Sequence, residues 1–210
     1  MKPNPHNHRA VHLMYESKLA KRSSKFVLKW CLMSLFVLLN TMAGGLLADE
    51  NENRRVDISL SIFPRIVAVD NHFRDKLSED KEAYLLFVYD KDEEYAQQLS
   101  DRMKKGNANI GGMKVLAKII SVEDDLPKNY PPTALFLVEK LSDSQLEKIM
   151  LYSKEAHRLV FSPYSGDVER GATVGISVTN RVKPYFNLST LRQSKVAINA
   201  LLMKMSNRYE

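Results

Sequence analysis

The sequence predicts an α/β fold: a single-domain sandwich with a mostly parallel mixed sheet and a C-terminal antiparallel hairpin. Three observations predict it. Strand-length segments at Ala83–Tyr89, Met113–Ile120, Thr133–Glu139 and Arg158–Ser162 are interspersed with helical patterns, and such alternation implies parallel strands joined by right-handed crossovers. The runs at 83–89 and 133–139 are continuously apolar inside, as suits strands buried on both faces. After residue 173, Val174, Ile176 and Val178 alternate with small or polar residues, and Asn180-Arg181 is a plausible turn, which predicts a hairpin.

Each element has its own warrant. Val56, Leu60, Phe63 and Val67 share a helical face, although strand-like alternation also runs through 56–63 and Pro64 would kink a helix. The stretch DKDEEYAQQLSDRMKKG (90–106) predicts a helix with Asp90 or Asp92 as cap and acids at its N-terminal end. Lys104 and Lys105 sit at its C-terminal end, Gly106 serves as the stop, and Tyr95, Leu99 and Met103 form its buried stripe. A second helix opens with a capping box, Ser142 and Gln145, and a hydrophobic staple, Leu141 and Leu146. In the hairpin, Pro184 predicts an edge position for the second strand. A short helix from about Ser189, an extended KVAIN and a terminal helix around Leu201, Leu202 and Met205 finish the chain.

The net charge of +6 is unevenly distributed. Residues 1–48 hold seven Lys or Arg and one acid, Glu16, of totals of 31 and 25, so 49–210 carries 24 of each sign. A neutral body lacks the electrostatic footprint of a nucleic-acid binder, and no nucleic-acid partner is expected. The leader, 1–48, has the pattern of an export signal. Basic residues precede an apolar run from Trp30 to Leu39, and small residues lead to a cleavage site near Ala48. This predicts a periplasmic domain over 49–210; an uncleaved inner-membrane anchor is the alternative, and Met14 is an alternative start. The single cysteine, Cys31, lies in the apolar run, so disulfides and thiol chemistry are excluded beyond it.

The densest polar stretch is SPYSGDVERGATVG, 162–175, which holds three of the six glycines after residue 48. It leaves a predicted strand at its carboxyl end, where open α/β sheets bind ligands. Three readings stand side by side. Ser162 or Ser165 could serve as a nucleophile, with Asp167 and Glu169 as acid and base. Tyr164 and Arg170 could recognise an anionic or sugar ligand, or the whole rim (Ser162, Tyr164, Ser165, Asp167, Glu169, Arg170) could dock a partner. Or the segment is a connector: Pro163 and Gly166 shape a turn, Asp167 caps one helical turn and Gly171 ends it. Elsewhere there is no glycine-rich phosphate fingerprint, Walker A pattern, HExxH or G-x-S-x-G elbow. His72 and His157 have no companion at metal-ligand spacing. The expectation is therefore a non-enzymatic protein with no cofactor and no metal.

The tail GATVGISVTNRVKPYFNLSTLRQSKVAINALLMKM resembles the closing segment of the YfiR family of periplasmic proteins, through Gly175, Arg181, Val182, Asn187, Leu188, Leu201 and Leu202. Upstream, ISLSIFPRIVAVD, AYLLFVYDKD and TALFLVEKLSDSQLEKIM resemble the family's first helix and next strands, so the resemblance covers nearly all of 54–205. It implies a regulator that binds the periplasmic sensor part of an inner-membrane diguanylate cyclase, often as a homodimer. Many members carry cysteines in these strands; Phe87 and Thr133 stand there instead, so disulfide-dependent control does not carry over. The 162–171 segment departs from the family's shorter loop, which implies a different partner.

Overall fold

A helix, α1, covers residues 51–68, because Val56, Leu60, Phe63, Ile66 and Val67 bury one face. Pro64 lies inside it, itself buried, so packing of the stripe outweighs the lost backbone donor. The computed structural model describes residues 51–210; the leader assignment over 1–48, its cleavage site and Cys31 fall outside the described residues. Residues Glu52–Glu210 form one compact unit.

The elements follow as β1 (Ala83–Tyr89), α2 (Glu93–Gly106), β2 (Asn109–Ile110), β3 (Met113–Ser121), β4 (Ala134–Leu137), α3 (Asp143–Ala156) and β5 (Leu159–Phe161). Then come β6 (Val174–Val178), β7 (Val182–Asn187), α4 (Leu188–Gln193), α5 (Ala200–Met205) and β8 (Asn207–Tyr209). One sheet of eight strands runs in the order β2-β3-β1-β4-β5-β6-β7-β8. Pairing is parallel from β3 through β6 and antiparallel at β2–β3 and β6–β7. This is the α/β class with the mixed, mostly parallel sheet that the sequence predicts.

The central strands are apolar throughout because helices cover both faces. Leu85 and Phe87 join α1, α2 and α4 in one core, while Leu86 and Val88 join α3 in the other. Register places Phe87, Phe136 and Phe161 side by side across β1, β4 and β5. Phe63 of α1 closes on the last two at 5.3 and 5.5 Å between ring centroids. Edge-to-face and offset contacts of this kind add about 1 kcal/mol per pair beyond burial.

The caps match their warrants. Asp92 accepts from the Tyr95 amide, and Ser142 with Gln145 forms the full capping box. Four details differ from expectation. Gly106 is the last helical residue of α2 and Asn107 is its cap, so no glycine stop operates. The hairpin connection is three residues long, with Val178 paired to Val182. Segment 164–171 makes one helical turn, with the Arg170 amide bonded to the Gly166 carbonyl, and Gly171 ends it as expected, but the Asp167 carboxylate accepts from the Ser162 and Arg170 side chains instead of capping the turn. Strand β7 is not the sheet edge, because β8 pairs with Tyr185–Asn187; that pairing begins just after Pro184, whose missing donor leaves the first half of β7 uncovered.

Candidate functional site

Strand β5 releases the chain at Ser162, and the corner that follows turns its polar groups inward. Ser162 and Asp167 have 0% exposure. The Ser162 hydroxyl donates to Asp167 Oδ2 at 2.6 Å and accepts from the Tyr164 amide at 3.2 Å. Arg170 donates to Asp167 Oδ1 at 2.7 Å, to Asp143 Oδ1 at 2.8 Å and to the Leu141 carbonyl at 2.8 Å. Asp143 opens α3, so Arg170 ties the corner to that helix. Partial burial alone would lower the Arg170 guanidinium, but its two carboxylate partners hold it above its ordinary value. The Tyr164 hydroxyl donates to the Val138 carbonyl, and burial pushes its phenol well up.

Two glycines make the corner possible. Gly171 has φ +118°, a conformation that side chains rarely adopt. At Gly175 a Cβ would stand 2.7 Å from the Ser162 carbonyl oxygen and 2.9 Å from a Val168 methyl, so β6 passes the corner only as glycine. Asn187 completes the frame, donating to the Val168 carbonyl at 2.8 Å.

The six candidate residues thus divide. Ser162, Asp167, Tyr164 and Arg170 are brought together as a hydrogen-bonded brace. Ser165 and Glu169 are exposed on the rim. The Ser162–Asp167 pair has nucleophile-and-base geometry, yet neither side chain touches solvent and no substrate can reach it. Ser165 is accessible, but no base is hydrogen-bonded to its hydroxyl among the described residues. Glu169 does not pair with Asp167; it lies beside Arg55 and Tyr185. Among the described residues, no group of three or more His, Cys, Asp or Glu side chains is placed to hold a metal ion.

Two residues that the sequence did not single out decide what this end of the sheet can do. Glu139, just past β4, accepts three backbone N–H bonds on one oxygen, from Asp90, Lys91 and Asp92, at 2.7, 2.8 and 3.1 Å. Those amides lie at the N-terminus of α2, where doubly wound folds bind phosphate. The chain's own carboxylate takes the donors that an anion bound there would need. Arg55 of α1 donates to the Pro163 and Ile176 carbonyls at 3.0 and 2.9 Å, sealing the other flank. The acid that closes the apolar run 133–139 was the signal for Glu139; for Arg55 no local signal exists.

Two surfaces stay open: a hollow of about 420 Å³ between α3 and Arg170–Gly171, and a rim on the other side of the turn. Ser165 and Glu169 share a shallow 170 Å³ hollow with Arg55, Tyr164 and Tyr185. Beside it, Val178 and Val182, paired across the hairpin, are 45% and 38% exposed.

No family model and no curated protein matches the chain. Among solved structures, it is similar to a crystal structure of a conserved domain protein from Vibrio cholerae O1 biovar El Tor, at 14% identity and a TM-score of 0.43. The likeness covers 65% of this chain and 57% of that one, so the chain spans little more than half the length of that protein.

Proposed function

We propose that this protein is an exported, non-enzymatic regulatory domain of the YfiR type, docking on the periplasmic part of an inner-membrane signalling protein such as a diguanylate cyclase. The observation that carries the reading is the division of the 162–171 corner. Its reactive groups are sealed in a brace, and its outer face offers Ser165, Glu169 and the neighbouring Val178–Val182 pair. An apolar centre with a polar margin is the composition of a recognition surface. The export leader and the resemblance of the tail supply the compartment and the class of partner, and a homodimer is the assembly that the resemblance implies.

The test is in vivo photo-crosslinking from Ser165, Glu169 and Val182, with cyclic-di-GMP measured in a deletion strain. The reading expects one inner-membrane protein captured from all three positions and a changed cyclic-di-GMP level on deletion. Capture of no membrane protein with an unchanged level overturns it. The second reading, a periplasmic binder of a small solute or cell-wall fragment at this same loop, loses ground because Tyr164 and Arg170 are already engaged within the fold.

A further inference from the structure

The opposite end of the sheet is built differently. Segment 77–80 enters β1, loop 129–131 enters β4 and Arg158 enters β5, and together they wall a cleft of about 440 Å³. Its floor is the stretch of sheet that α3 leaves open, with Tyr84 on β1 and Leu116 and Lys118 on β3. Tyr130, 63% exposed, stands over it. The Lys118 ammonium lies 5.6 Å from the Tyr84 ring centroid.

Arg158 is the anomaly. Its Nε is buried and has no hydrogen-bond partner. One terminal nitrogen makes only a long 3.5 Å contact with the His157 carbonyl. Among the described residues no carboxylate forms an ion pair with it; the nearby Asp70 is taken by Lys76 at 2.5 Å and by the His72 amide at 3.0 Å. Burial lowers the Arg158 guanidinium, the direction expected of a cation lacking its counter-ion. Arg55 and Arg170, the other partly buried arginines, each have short partners: Arg55 donates to two carbonyls, Arg170 to two carboxylates and a carbonyl. A half-buried guanidinium left open costs stability, and such a cost is typical of a site shaped for a ligand rather than for the fold.

We infer that this cleft binds a small molecule bearing a single oxyanion on a flat apolar body, with Arg158 gripping the oxyanion and Tyr84 and Tyr130 covering the body. Arg158 offers a planar fork suited to two-point contact with a carboxylate or phosphate. Lys118 adds a second positive charge along the floor. Glu79 and Asp80, exposed residues that also line the cleft, repel extended polyanions, so the site selects one negative group and rejects nucleic acid. The site is independent of the docking rim and stands or falls without it.

The test uses the purified full chain at low salt with benzoate, phenyl phosphate and neutral benzamide as probes, read by thermal shift and by calorimetric titration. Benzoate or phenyl phosphate should bind saturably, and the stronger of the two identifies carboxylate or phosphate as the preferred head; benzamide should not bind. Arg158→Met should abolish binding and raise the thermal midpoint of the free protein by about 2–4 °C, as relief of an unpaired buried charge requires. Arg158→Lys should keep weakened binding. Lys118→Ala, at an exposed position, should weaken binding about tenfold without lowering the midpoint. The inference is overturned if neither anion binds, if benzamide binds as well as benzoate, or if Arg158→Met lowers the midpoint, which would make the guanidinium part of the scaffold.

Discussion

The two ends of the sheet carry similar residue types in opposite states. At the carboxyl end, Arg170 meets two carboxylates and a carbonyl, Glu139 meets three amides, and the Tyr164 hydroxyl meets a carbonyl. At the amino end, Arg158 meets one distant carbonyl, and the neighbouring His157 Nδ1 is buried without a partner. The lesson is that a polar residue is informative through the bonds it has left over. At the end that α/β proteins ordinarily use for ligands, the polar groups of the corner are here engaged by the chain itself, whereas Arg158 at the ordinarily passive end keeps an unused donor.

This contrast can be broken in order of expected effect. Asp167→Ala removes the acceptor shared by Ser162 and Arg170 at a fully buried site. It should cost about 3–5 kcal/mol, measured by urea unfolding. Glu139→Ala strips the amides of 90–92 of their acceptor and should cost about 2 kcal/mol. It should also create an anion site that the wild type lacks, detected as stabilisation by added phosphate; absence of that gain would show that Glu139 occupies no phosphate position. Gly175→Ala forces a methyl against the Ser162 carbonyl and should cost about 1–3 kcal/mol, the ordinary range for overpacking. The smallest effect has the opposite sign. Arg158→Met should stabilise by about 1 kcal/mol, and a destabilising result would erase the difference between the two ends.

Much of the fold was legible in the sequence, and the reasons are physical. Ala83–Tyr89 is a strand because it is sandwiched between α2 and α3, and its unbroken apolar run says so. The Ser142–Gln145 box and the Asp92 cap are local bonds between near neighbours, which a sequence displays directly. By contrast, β2 and β8 span two and three residues, with no room for periodicity. The hairpin's expected edge failed for the same reason, because β8 covers it from a part of the chain with no strand signal.

The candidate site was legible as a place and illegible as a state. Ser162, Asp167 and Arg170 do converge, as their spacing suggests, but composition cannot show whether side chains point into solvent or into each other. Glu169 illustrates the limit: two residues from Asp167, it sits on the other side of the turn with Tyr185 and Arg55. Arg158 was hidden for the converse reason. Its significance is a missing partner, and a missing partner exists only once every neighbour has been placed.

The most direct test of the contrast is a calorimetric titration of benzoate into wild type, Arg158→Met and Asp143→Asn, the last a surface partner of Arg170 at the carboxyl end. Saturable binding is expected to wild type and to Asp143→Asn with equal affinity, and none to Arg158→Met. Binding that survives in Arg158→Met, or that changes with Asp143→Asn, would show that Arg158 does not hold the anion and would erase the difference between the two ends of the sheet.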